Sequence, residues 1–160
     1  MISKPILLDL PIPITTPRLI LRPPSPGDGK KVNEAINESF DELHRWMHWA
    51  HSRPTVEESE EFVRLAAAEW ILRKELDLRL WDKVTGELIG GAGYHDINWQ
   101  VPRLEIGYWI RASRSGEGLM TEAVNALTRY AFDVIGVKRV EIRCDKDNVK
   151  SRGIPERLAY

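Results

Sequence analysis

A chain of 160 residues with 42% hydrophobic and 29% charged side chains carries enough apolar material for one packed core and has no disorder signature. Lys and Arg number 23 against 24 Asp and Glu, a formal net charge of -1, and this balance argues against a surface built to neutralise nucleic-acid phosphates. The apolar runs are too short to span a membrane, Met1–Leu10 lacks the pattern of a signal peptide, and the single Cys144 excludes an internal disulfide or a cysteine-rich metal site. A single cytoplasmic domain over 1–160 is expected, with no metal and no nucleic-acid or membrane partner.

Pro5, Pro11, Pro13, Pro17, Pro23, Pro24 and Pro26 crowd the start of the chain, so residues 1–15 read as an extended lead-in rather than a helix. Arg18-Leu19-Ile20-Leu21-Arg22 reads as a first strand stopped by Pro23-Pro24. A helix is expected from Gly27-Asp28 to about Phe40, and a shorter aromatic-rich one over Asp41–His51. Thr55-Val56-Glu57-Glu58 has the form of a capping box. It predicts a long helix to about Lys74 with Phe62, Leu65, Ala66, Glu69 and Trp70 at helical spacing.

The pattern then turns to strand. Leu76–Asp82, a turn at Lys83-Val84-Thr85-Gly86 and Leu88–Tyr94 predict a hairpin, His95–Pro102 a loop, and Arg103–Ile110 a further strand. Met120, Ala123, Val124, Leu127, Tyr130, Ala131 and Val134 mark one face of an amphipathic helix, which Gly136 stops. Arg139–Cys144 reads as a strand and Lys150–Tyr160 as a helical segment broken near Pro155. The order describes one α/β unit.

The stretch richest in chemistry is the loop Arg111–Leu119, where Gly116-x-Gly118 joins a strand to a helix. The first amides of that helix lack internal partners and lie at the positive end of its dipole, which suits a pyrophosphate. A plain turn is the alternative reading. The loop is neither a P-loop, since no Gly-Lys-Ser/Thr ends it, nor the dinucleotide fingerprint, since Thr121 takes the third-glycine position.

Taken together, Gly107-Tyr108-Trp109-Ile110, Gly116-x-Gly118, Met120-Thr121-Glu122-Ala123 and Val140-Glu141-Ile142-Arg143-Cys144-Asp145-Lys146-Asp147-Asn148-x-x-Ser151-Arg152 resemble the GNAT superfamily of acetyl-CoA-dependent N-acetyltransferases. Thr16–Arg22 and Trp46-Met47-His48-Trp49-Ala50 add likeness to its Rim branch, which acetylates ribosomal-protein N-termini. The resemblance implies an α+β GNAT fold, a central mixed twisted sheet flanked by helices, with acetyl-CoA as cosubstrate. It implies that Arg111, Arg114, Ser115, Gly116, Glu117, Gly118 and Leu119 form the pyrophosphate loop and that the edge Tyr108, Trp109, Ile110 pairs with the pantetheine. Asn148 would bond the cofactor arm. Ser113 stands where the broad pattern has Gln or Arg, and Glu117 brings a negative charge to the loop. Arg157-Leu158-Ala159-Tyr160 stands where the family's helix leads into closing strands. The usual final strand or strands are therefore expected to be missing, leaving an open edge beyond Arg139–Cys144 that a second copy could cover.

Acetyl transfer needs a neutral amine and a stabilised leaving thiolate. On the strand that the resemblance assigns to the thioester, Glu105 is the candidate base, on the face of Gly107 and Trp109 and opposite Ile106 and Tyr108; an exposed carboxylate paired with Arg103 is the alternative. Pro155 occupies the position of the family's proton-donating tyrosine, and Ser151 resembles the Rim-branch replacement, or else caps a helix. Trp46 and Trp49, three apart on a helix, suit either a lid over a peptide acceptor or core packing. His44, His48 and His51 read as solvated, Cys144 as a small core residue, and Glu57, Glu58, Glu60 and Glu61 as an acidic first turn. The acceptor is expected to be a protein N-terminus; a small-molecule amine is the second reading and a non-catalytic acyl-CoA-binding module the third.

Overall fold

The computed structural model describes residues 1–160. Its centre is a mixed six-stranded sheet in the order β1 (Ile14–Thr15), β2 (Leu19–Arg22), β3 (Leu76–Asp82), β4 (Leu88–Asn98), β5 (Arg103–Ile110), β6 (Arg139–Glu141). Each neighbouring pair is antiparallel except β5 and β6, which run parallel. Three helices, α1 (Gly29–Glu38), α2 (Phe40–Trp46) and α3 (Val56–Leu72), separate β2 from β3; α4 (Leu119–Tyr130) and α5 (Val149–Arg157) flank β6 in sequence. No helix is long and apolar enough to cross a membrane.

Strand alternation divides the sheet into two dissimilar faces. Leu76, Leu78, Leu80, Ala92, Tyr94, Leu104 and Ile106 pack against Met120, Ala123, Val124 and Leu127 of α4. Each fully buried leucine there contributes roughly 1.5–3 kcal/mol. The Tyr94 hydroxyl crosses this layer to donate to the Leu127 carbonyl at 2.7 Å. On the opposite face Val32, Ala35, Ile36, Leu43 and Val63, from α1 to α3, close over Trp81 and Leu88.

Both expected helix starts are present. Thr55 and Glu58 exchange the two bonds of a capping box at the head of α3. Glu60, read as part of an acidic first turn, accepts instead from the Gly27 and Gly29 amides and so ties α3 to the start of α1.

Several boundaries differ from the sequence reading, each for a physical reason. The lead-in is anchored: Ile14–Thr15 pairs with β2, and Leu10 joins the core. The buried stripe of α3 is Ser59, Val63, Ala66 and Trp70, while Phe62 and Leu65 are exposed; the helix is apolar on two sides, so period alone does not choose between them. After Tyr130 the chain makes a turn of π-helix over Ala131–Ile135, which rotates Ile135 inward and leaves Val134 exposed. Gly136 then ends it at φ 80°, as the glycine predicted. β4 runs on to Asn98, so His95 lies in a strand rather than a loop. β6 ends at Glu141, and Cys144 lies beyond it, exposed, instead of in the core. α5 continues through Pro155 to Arg157. β6 has one neighbour in the sheet, β5.

Candidate active site

β5 and β6 are neighbours for only three residue pairs, Arg103 with Arg139, Leu104 with Val140 and Glu105 with Glu141. Beyond Glu105 the β6 side of β5 has no strand beside it. The Arg111 amide donates to Ile89 on β4 at 2.7 Å, and alternation from there directs the backbone groups of Tyr108 and Ile110 to the vacated side. The result is a notch floored by an unpaired strand edge.

The two faces of β5 present different chemistry to this notch. Glu105 is four-fifths buried, at 16% side-chain exposure, with the exposed Arg143 Nε 3.3 Å from its carboxylate. Arg103, its partner in the alternative reading, pairs instead with Asp96 at 3.0 Å. On the other face the Tyr108 hydroxyl donates to the Ser151 carbonyl at 2.9 Å, and the Ser151 hydroxyl donates to the Tyr108 hydroxyl oxygen at 3.4 Å. Burial raises the Tyr108 phenol above its ordinary value despite the Ser151 bond. Pro155 explains the pairing: it has no N–H for the carbonyl four residues earlier, and Tyr108 supplies the missing donor. Asn148, not Ser151, caps α5, accepting from the Ser151 amide at 3.2 Å.

At the mouth of the notch, a single 3-10 turn over Ala112–Arg114 leads to Gly116 (φ 85°) and Gly118 (φ 76°). Gly118 is the N-cap of α4 and offers no side-chain acceptor, and the backbone N–H groups from Gly116 through Thr121 have no partner within the protein. Ser115, Gly116, Glu117 and Gly118 are exposed and Leu119 is buried beneath them. Arg114 is not a free cation: Glu117, Glu87 and Asp82 hold it at 2.7, 2.7 and 3.0 Å and raise its pKa. Arg111 is likewise taken up by Glu38 and Glu87. The arginines therefore brace the loop, and the Glu117 charge is neutralised by Arg114. Glu122 fixes the same helix end to the first strands, accepting from the Thr16 hydroxyl at 2.6 Å and the Arg18 guanidinium at 2.7 Å.

The face of β5 that bears Glu105 also bears Gly107 and Trp109, opposite Gly93 and Gly91 of β4. Trp49 lies outside any helix and packs edge-on against Trp109, ring centroids 6.1 Å apart. Trp46 ends α2 under the Arg45 guanidinium and takes no part in that pair, so the two tryptophans are not neighbours on one helix face. The histidines of this region form no common site; His44 Nδ1 bonds the Ala50 carbonyl at 2.8 Å.

Two residues on this face were missed in the sequence. Arg79 is almost fully buried under the Phe62 ring, with Asp77 3.7 Å away and its Nε unpartnered; burial lowers its pKa. His95, directly across from Glu105, leans over Gly107 with a buried, unpartnered Nε2. Its signal was the alternation Gly91, Gly93, His95, which continues the strand.

Residues 18–160 match the sequence profile described as the Acetyltransferase (GNAT) domain. The chain belongs to the GNAT acetyltransferase family. Among its relatives is YdaF of Bacillus subtilis (strain 168), whose name ties it to ribosomal N-acetylation; it is 30% identical over 84% of this chain and 73% of its own length. The ribosomal-protein-serine acetyltransferase of Escherichia coli (strain K12) is 32% identical over 46% of this GNAT chain and 41% of its own. Among solved GNAT structures, the Microcin C7 self-immunity acetyltransferase MccE, in complex with acetyl-CoA and AMP, superposes with a TM-score of 0.83 at 25% identity, over 89% of this chain and 78% of that one.

Proposed function

We propose that this domain transfers acetyl from acetyl-CoA to the N-terminal α-amine of a protein by direct attack within a ternary complex. The observation that carries the reading is the unpaired edge of β5, with unpartnered amides at one end and a carboxylate and a hydroxyl pair on opposite faces. Acetyl-CoA supplies the activated acyl group. The amides of Gly116–Thr121 hold its pyrophosphate, the Tyr108 and Ile110 backbone binds the pantetheine as an added strand would be bound, and the Asn148 side chain bonds the arm. The amine enters on the face of Glu105, which serves as the base, past the wall formed by Trp49 and Trp109. On the other face the Ser151 hydroxyl donates to the departing sulfur. A thiol of pKa about 8.5 leaves with little more help than that.

An α-ammonium has a pKa of about 8, so near neutrality most of it must lose a proton before attack. A protein acceptor is supported by the names of YdaF and the Escherichia coli relative. The likeness to MccE, seen with AMP, supports a small amine as the second reading. The test is CoA release with N-terminal peptides against a panel of small amines. Peptides should be preferred, and Glu105→Gln should lower kcat/KM at least about tenfold near neutral pH. Full activity of that variant from pH 6 to 9 overturns the assignment of the base.

A further inference from the structure

We propose that His95 is a proton-accepting residue of this site, standing between the acceptor amine and Glu105. The inference rests on the acetyl-transfer reading and deepens it.

The geometry begins with register. His95 on β4 is the direct partner of Glu105 on β5, and Gly93 is the partner of Gly107. The His95 ring does not stand upright over its own pair. It leans one row along, across β5, into the space a side chain at residue 107 would fill: a Cβ built on Gly107 would collide with Cε1 and lie 2.5 Å from Nε2. Gly107 has no positive φ, so this glycine serves space and not backbone conformation. The ring thus lies over the strand whose opposite edge is the unpaired floor of the notch. Its Nε2 is buried without a hydrogen-bond partner, although buried polar atoms are nearly always satisfied.

Carboxylates surround the ring on several elements. Glu75 immediately precedes β3 and Asp77 lies on it, Asp96 follows on β4, Glu105 lies opposite on β5 and Glu141 pairs with Glu105 from β6. Arg103 and Arg143 are drawn off into ion pairs with Asp96, Glu141 and Glu105. Burial raises the Glu75 carboxyl, and among the charges around it, which include Glu69 of α3, His95 alone works in the opposite direction. In the step itself one N–H bond of the substrate ammonium breaks and its electron pair stays on nitrogen for the attack. The proton forms a bond to Nε2, where the arriving amine takes the place of the missing partner, and the ring then gives up a proton to the Glu105 carboxylate, the base, from which it passes to water.

The experiment is steady-state CoA release with an N-terminal peptide, from pH 6 to 9, for wild type, His95→Gln, His95→Ala, Gly107→Ala and Glu105→Gln, with CoA affinity measured by calorimetry on each. His95→Gln should keep CoA affinity and lose about tenfold to a hundredfold in kcat/KM near neutral pH, the deficit closing as the amine deprotonates toward pH 9. Gly107→Ala, which evicts the ring, should behave in the same way. Free imidazole should restore His95→Ala in proportion to its neutral form and leave Glu105→Gln unchanged, which no packing role would produce. Wild-type pH profiles in His95→Gln, or no imidazole rescue with CoA binding intact, overturn the proposal while the transferase reading stands. A wild-type protein that binds CoA and acetylates no amine overturns both.

Discussion

The carbonyl of Ser151 is left without its helical donor by Pro155 and is satisfied from another element by Tyr108. Because the acceptor is half-buried, removing the phenol oxygen deprives it of its partner, a loss of about 1–2 kcal/mol. Tyr108→Phe should therefore lower stability in urea unfolding by that amount. In a Pro155→Ala background the restored backbone N–H takes over the carbonyl, and the cost of Tyr108→Phe should fall by at least half; equal costs in both backgrounds would refute the coupling. The helix that carries Pro155 thus receives a tyrosine hydroxyl from β5. Pro155 itself is plain in the sequence, whereas the compensation depends on which face of β5 meets α5 and is not written in local sequence.

At the scale of elements, the loop before α4 owes its shape to Arg114, whose three carboxylates belong to the end of β3, the turn just before β4 and the loop itself. Such partly exposed pairs contribute up to about 1 kcal/mol each. Arg114→Ala should weaken CoA binding about fivefold to tenfold by calorimetry, through the released charge of Glu117 and a looser loop. Glu117→Gln should leave it equal or a few-fold tighter; weaker binding in Glu117→Gln would show that the carboxylate shapes the loop rather than opposing the ligand. Elements with strong local signals were readable: the Thr55 capping box, the strand Arg103–Ile110 and the Gly136 stop. Those decided by contact were not. Phe62 and Leu65 share the expected spacing with Ala66 and Trp70, yet only the latter two are buried, with Val63 in place of the former. His95 continues the alternation of Gly91 and Gly93 and so belongs to the strand, but its place beside Glu105 is revealed only by the pairing.

For the molecule as a whole, low pH removes a defined set of supports. The Thr85 and Val84 amides, with Arg114 behind them, hold Asp82 at about 2 against an ordinary 3.8. Glu60 is lowered chiefly by the Gly27 amide. In Glu122 burial acts upward but is outweighed by the bonds from Thr16 and Arg18. Each folded-state value is depressed, so the stabilisation is complete above the ordinary carboxylate range and disappears as pH falls through the folded values. Thermal unfolding should therefore shift downward mainly between about pH 4.5 and 2. Asp82→Asn should make the lowest part of that decline shallower, and an unchanged slope would count against the assignment. The edge strand β6 is three residues long, with Arg139 and Arg143 exposed beside it.

The π-helical turn at Ala131–Ile135 has a consequence for how this chain tolerates change in length. Its Gly136 amide reaches back five residues to Ala131, at 3.0 Å, so the ladder there holds one residue more than an α-helix needs. Removing the exposed Asp133 should let the turn relax to α-helical spacing while Ile135 and Val137 keep their seats, with circular dichroism and the thermal midpoint little altered. The same deletion at Asn125 would swing every later inward side chain by about 100° and empty the core beneath Leu127. One short stretch of surface helix is thus the place where this fold can lose a residue without losing its register.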